Sequence, residues 1–253
     1  MSESEQHSEF PEILPNDRHV LVVGGGEVAA SRIYHLLNAN AKITVISPTM
    51  NPEIEYRESK GLLYSVQRRQ FVDSDLSLYE KPTPKLEKFD EEEYKNIDQY
   101  LKDSRFELVL VAIDDPIESK KIYYKCKLKG LNVNIADVPP LCDFYFGAIF
   151  RKGDLQVMVS TNGRGPRMAR LIKDKIGNLF SDYEIDKTIG NIGELRKLLR
   201  IKNSGTDNQS IQDRMEWMTK TTDLYTFKQW SDVDIHKVIE YYPNLPPKYE
   251  DLK

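Results

Sequence analysis

The first apolar run begins at Val20 within His19–Val23 and ends on Gly24-Gly25-Gly26. A short unbroken apolar run closed by glycines reads as a strand buried on both faces. From Glu27 to Asn38 the apolar positions take up helical spacing, with Val28, Ile33, Leu36 and Leu37 as the predicted buried side. Lys42–Ile46 is a second β-rich run, halted by Ser47-Pro48. Strand, helix and strand at this spacing predict a parallel sheet covered by helices.

Residues 50–105 carry a weaker pattern. Leu62–Val66 suits a third strand, and 73–96 reads as an inserted, partly irregular excursion whose acidic run Asp90–Glu93 is a solvated face. Leu108–Ile113 is the clearest strand in the chain. After Asp114-Asp115-Pro116 a helix is expected from Ile117 to Lys129, stopped by Gly130. Asn132–Ala136 reads as another buried strand, ending at Asp137. Phe144–Phe150 and Leu155–Ser160 then form a hairpin across Arg151-Lys152-Gly153-Asp154. The turn 161–166 leads into a helix from about Arg167 to Phe180, and the rest is mostly helical with a break at 203–208. The expected fold is α/β. A flexible tail (1–17) precedes a Rossmann-type parallel-sheet domain (18–144, with the insertion at about 73–96), followed by a central α+β region (145–185) and a C-terminal helical region (186–253).

Composition narrows the function without choosing it. The 253 residues are 40% apolar with a formal charge of −4, so the basic surplus of a general nucleic-acid binder is missing. Two cysteines, Cys126 and Cys142, are too few for a disulfide framework. Met1–Asp17 is polar, without the apolar segment of a signal peptide, and Leu108–Ile113 is far too short to cross a bilayer. The expected address is the cytoplasm, with no membrane partner.

Gly24-Gly25-Gly26-Glu27-Val28-Ala29 satisfies G-x-G-x-x-G/A between a strand and a helix, the context in which that pattern binds a dinucleotide. Gly24 allows the tight turn, Gly26 lets a pyrophosphate approach the helix N-terminus, and Ala29 lets the helix pack close to the sheet. At the end of the second strand, where an acidic residue normally holds the ribose, stands Ser47. A serine can hydrogen-bond the ribose but does not repel a 2′-phosphate, so spacing alone leaves NAD and NADP both open. Gly24, Ser47, Asp114 and Asp137 all fall at the carboxyl ends of strands, where such sheets bind ligands. Asp115, ahead of Pro116, has the pattern of a helix N-cap. Asp137 has no following helix to cap; it is either a turn former or a functional carboxylate.

These motifs, with Val45-Ile46-Ser47-Pro48, Asn134-Ile135-Ala136-Asp137-Val138-Pro139, Leu141-Cys142-Asp143-Phe144-Tyr145-Phe146-Gly147-Ala148 and Ser160-Thr161-Asn162-Gly163, keep order and spacing over about residues 18–240. In this the chain resembles the fungal bifunctional siroheme synthases, precorrin-2 dehydrogenase and sirohydrochlorin ferrochelatase in one protein. The resemblance implies NAD as cofactor, a homodimer built on the central region, and Fe²⁺ as a substrate for insertion into a tetrapyrrole. It puts the catalytic aspartate on Asp137. It also gives a cofactor-contacting set of Gly24, Gly25, Gly26, Glu27, Val28, Ser47, Pro48, Ile113, Asp114, Asn134 and Ala136.

The implied substrates, precorrin-2 and sirohydrochlorin, bear eight carboxylates, which basic groups should meet. Residues 145–175 hold seven Lys and Arg against two Asp. Arg167 and Arg170 share a face at the start of a helix, and Asn162 precedes them in a turn; these three are the candidate substrate contacts. An ordinary charged helix face gives the same pattern. His7, His19, His35 and His236 have no paired spacing and the cysteines form no CxxC, so no resident metal site is expected. Trp217, Tyr225, Phe227, Trp230, Tyr241 and Tyr242 suit core packing better than a tetrapyrrole platform. A dehydrogenase without chelatase activity and a non-catalytic NAD sensor are the alternatives. A carboxylate at the nicotinamide end argues against the sensor.

Overall fold

The structure, a computed structural model, describes residues 17–252 in two compact units that divide between Phe146 and Gly147. The first 16 residues, including His7 and nearly all of the tail expected at 1–17, lie outside the described residues.

The first unit is a five-stranded parallel sheet ordered β3-β2-β1-β4-β5. The strands are β1 (His19–Val23), β2 (Lys42–Ile46), β3 (Ser65–Gln67), β4 (Phe106–Val111) and β5 (Asn132–Ile135). Every residue of β1 is buried, as a central strand requires. Alternation sends Val20 and Val22 to one face and Leu21 and Val23 to the other. The first face packs on α1 (Glu27–Asn38) through Ala29, Ala30, Ile33 and Leu36, and on Ile54 of α2 (Pro52–Ser59). The second takes Ile122 and Cys126 of α4 (Pro116–Leu128). Each fully buried Ile or Leu contributes roughly 1.5–3 kcal/mol of transfer free energy, so these faces dominate the unit's stability.

The pattern misplaced some details. Val28 is 43% exposed instead of buried, because the two alanines that follow it occupy the close helix–sheet contact. The third strand lies at the end of its expected run and is only half-buried, as an edge strand can be. Helix α2 went unread because a short helix with mostly exposed charges has little apolar periodicity; Asn51 caps it by accepting from Glu53 N at 2.9 Å. The excursion holds a 3₁₀ turn at Asp73–Ser77, an irregular stretch and then α3 (Glu91–Asp103). Its acidic run is more than a solvated face. Asp90 caps α3 through Glu93 N, and the Glu93 carboxylate accepts from Lys88 N and Phe89 N at 2.7 Å.

The second unit begins with the antiparallel hairpin β6 (Ala148–Lys152) and β7 (Leu155–Val159), closed by Gly153 at φ +54° and Asp154. Residues 144–147, read as part of the first hairpin strand, precede it. α5 (Pro166–Leu179) packs on both strands. α6 (Ile185–Lys202), α7 (Asn208–Thr222), α8 (Phe227–Asp232) and α9 (Ile235–Glu240) enclose a core of Leu195, Leu199, Trp217, Tyr225, Trp230 and Val238. Three of the six C-terminal aromatics thus lie in the core, and Tyr242 packs against it; Phe227 and Tyr241 are exposed.

Candidate functional site

The sheet order makes β1 and β4 neighbours while the chain winds away from β1 on both sides, and the crevice for a ligand opens at the carboxyl ends of those strands. The loop from β1 to α1 sits there. Gly24 has φ +117°, and a Cβ on it would meet the Ala112 carbonyl oxygen at 2.1 Å. A Cβ on Gly25 would meet Thr49 O at 2.0 Å and Ser47 Oγ at 2.9 Å. A Cβ on Gly26 would meet nothing within 4 Å. Two glycines are therefore demanded by the protein's own packing. The third keeps an exposed space clear at the N-terminus of α1, whose N-cap makes no side-chain hydrogen bond. Exposed Glu27 and Val28 border that space. An uncapped first turn with open room before it fits a dinucleotide pyrophosphate.

Ser47 is buried and donates its hydroxyl hydrogen to Thr49 O at 2.8 Å, fixing the turn that carries Pro48; Asn51 N ties that turn to Gly25 O at 2.7 Å. A ribose could meet the Ser47 oxygen only as an acceptor. After β4, half-buried Ile113 and exposed Asp114 reach the rim. Asp115 caps α4, accepting from Ile117 N and Glu118 N at 2.9 and 3.0 Å, as its position before Pro116 suggested.

Beyond β5 the chain turns at Asp137, an exposed residue at φ +60°. Ala136 N donates to Val111 O at 2.8 Å, anchoring the turn to the neighbouring strand. The Cys142 thiol lies 3.1 Å from Ile135 O and 3.4 Å from Val138 O, bracketing Asp137. Asn134 is buried and donates from Nδ2 to Phe144 O at 2.8 Å, so this part of its side chain serves the returning segment. Asp143 accepts from Val133 N at 2.9 Å and from Lys127 Nζ at 2.8 Å, holding the same segment.

Arg32, on α1, escaped the sequence reading, since a lone arginine among helical positions looks like a solvated one. It is half-buried, with its guanidinium carbon 4.2 Å from the Phe146 ring centroid. Burial lowers its pKa, against the opposing fields of Cys142 and Asp137.

In the second unit Asn162 (φ +53°), Arg167 and Arg170 are exposed, the arginines on the first turns of α5. Lys152 is committed to the carbonyls of Phe180, Ser181 and Tyr183, and Lys173 pairs with Asp174 at 2.6 Å. The usable basic face is therefore narrower than the composition suggested. His19 is buried at the start of β1 and His35 stands 5.8 Å from the Phe146 ring. Among the described residues no group of three or more His, Cys, Asp or Glu is placed to hold a metal ion, and no helix is long and apolar enough to cross a membrane.

Comparison with known proteins agrees with this geometry. Residues 13–148 match the family model "Putative NAD(P)-binding". Residues 152–179 and 167–247 match those for the central and C-terminal parts of sirohaem biosynthesis proteins. The chain is 36% identical to a siroheme biosynthesis protein of Schizosaccharomyces pombe, over 93% of this chain and 80% of that one. To the siroheme biosynthesis protein of Saccharomyces cerevisiae it is 30% identical, over 89% and 86%. A siroheme synthase of Psychrobacter is 31% identical across 64% of this chain but only 27% of its own length. A solved structure titled SirC, precorrin-2 dehydrogenase, shares the fold with a TM-score of 0.59 at 24% identity, covering 90% of this chain and 96% of that one.

Proposed function

The chain belongs to the siroheme biosynthesis family of the two yeast proteins, and on that premise we propose that it oxidises precorrin-2 to sirohydrochlorin with NAD and then inserts Fe²⁺ to give siroheme. The observation that carries this reading is Asp137. It is an exposed carboxylate on a braced turn, at the same strand-end rim as an uncapped glycine loop.

The oxidation transfers one hydride and releases one proton: precorrin-2 and NAD⁺ give sirohydrochlorin, NADH and H⁺. When bound, NAD supplies the hydride acceptor. Gly26 and the first turn of α1 would hold its pyrophosphate, Ser47 its ribose, and Ile113 and Asp114 would line the wall beyond. Asp137 accepts the proton released as the hydride leaves, which requires the substrate to be held against the turn. In the second reaction Fe²⁺ enters as substrate and two pyrrole protons leave. The same carboxylate accepts one of them and steadies the incoming cation. Arg167, Arg170 and Asn162 receive substrate carboxylates. The protein acts as a homodimer. Exposed Met168, Leu171, Ile172 and Leu179 give α5 an apolar surface of the kind that self-association covers.

The test is Asp137→Asn, assayed for NADH formation from precorrin-2 and, separately, for siroheme formation from sirohydrochlorin and Fe²⁺. Loss of both activities in a protein that still binds NADH supports one carboxylate for two reactions. Chelation that survives would leave a dehydrogenase whose metal step uses other groups. Wild-type protein that binds NADH but turns over neither substrate would favour a sensor.

A further inference from the structure

Arginine carries five N–H donors and stays charged at any physiological pH, so a half-buried guanidinium without a protein partner is available to an anionic ligand. Arg32 has none: among the described residues its side chain makes no hydrogen bond and no ion pair, and its stack on Phe146 satisfies the ring face and not the N–H edge. Other arginines of the same unit find one. Arg57 donates to Ala30 O at 2.6 Å, Arg68 pairs with Glu58, and Arg69 pairs with Asp75. Phe146 fixes the plane of the guanidinium, and Phe144 stands 5.9 Å from Phe146 to hold that ring in turn. A planar fork prepared in this way matches a carboxylate bidentately.

The position adds to this. Arg32 lies on the helix that begins at the glycine loop, and its field is shared with Asp137 and Cys142, the residues of the catalytic turn. Among the described residues Asp137 forms no ion pair with it. We infer that Arg32 is a substrate-binding residue that takes a peripheral carboxylate of the tetrapyrrole and so sets the macrocycle against Asp137. This rests on the tetrapyrrole reading proposed above. The cation is part-buried over an aromatic ring with its N–H edge open to solvent, and the ligand supplies the acceptor that the protein does not.

The experiment is a titration of the full chain with sirohydrochlorin, followed by the ligand's own absorbance and fluorescence, for wild type, Arg32→Met and Arg32→Lys. NADH binding is measured on the same samples. The expected result is a Kd for sirohydrochlorin at least tenfold weaker in Arg32→Met and intermediate in Arg32→Lys, which keeps the charge but loses the fork. NADH affinity should change less than threefold, and the loss in precorrin-2 turnover should fall on KM more than on kcat. Unchanged sirohydrochlorin affinity in a variant that melts like the wild type overturns the assignment while leaving the proposed function intact. A parallel loss of NADH affinity would make Arg32 a cofactor contact and overturn it too. Wild-type protein that binds NADH but no sirohydrochlorin would remove the tetrapyrrole reading, and this inference with it.

Discussion

The Cβ that Gly24 lacks would lie 2.1 Å from the carbonyl oxygen of Ala112, whereas the one that Gly26 lacks would lie in open space. One glycine motif therefore contains two different requirements. Gly24→Ala adds both a backbone clash and a side chain at φ +117°, and should cost about 3 kcal/mol or more. Gly26→Ala should leave stability within about 1 kcal/mol and weaken NADH binding at least tenfold. Thermal melts and NADH titrations of the two variants separate the roles. Equal loss of stability in both would refute the distinction.

Asp137 occupies a left-handed conformation that Asn and Gly tolerate and Ala does not. Asp137→Ala should therefore lose about 1–2 kcal/mol of stability in addition to the activity proposed for that carboxylate. Asp137→Asn should melt like the wild type and Asp137→Gly no lower. Denaturant unfolding of the three variants checks this, and an Ala variant as stable as the Asn variant would contradict the strained turn.

His19 links folding to pH. Its ring stacks on Tyr79 at 4.0 Å, its Nδ1 is buried without a partner, and its Nε2 stands 3.6 Å from Asp103. Burial, then the nearby Lys42, hold it below its usual 6.5, and Asp103 opposes them without prevailing. A histidine whose pKa is depressed on folding takes up its proton more readily unfolded. Its contribution is intact above 6.5 and declines as pH falls from there towards the folded value. Melting temperature should drop by a few degrees between pH 7.5 and 5.5, and His19→Gln, though less stable throughout, should show a flatter slope. Asp103, held low first by its hydrogen bond from Lys42, titrates in a more acidic range and does not blur the result.

The 3₁₀ turn at Asp73–Ser77 is fastened by a buried carboxylate. Asp75 accepts from Arg69 at 2.5 and 2.7 Å and from Val72 N at 2.8 Å; burial pushes its pKa up, but those bonds bring it below the usual range. Arg69→Met strands that charge and should cost about 3 kcal/mol, more than Asp75→Asn, which removes the charge and keeps the shape. Chemical denaturation ranks the two, and the reverse order would mean that the pair is not what holds the turn.

The sequence by itself determined the sheet and the nucleotide loop. Continuous apolar strands and the helical spacing of Ile33 and Leu36 follow from burial, and Gly24 and Asp115 are local backbone and capping requirements that one stretch of chain states in full. It also nominated Asp137, through the absence of a helix for it to cap. Tertiary structure decided everything that depends on what lies opposite. Val28 is exposed because Ala29 and Ala30 take the contact, Ser47 has its proton engaged by Thr49, and Asn134 serves Phe144. Arg32 and Phe146 are more than a hundred residues apart, and no local pattern marks Arg32 or pairs it with Phe146. Periodicity records which side of an element is buried. The partner of a charged or hydrogen-bonding group is set by where distant segments come to rest, and there the sequence pattern has no term.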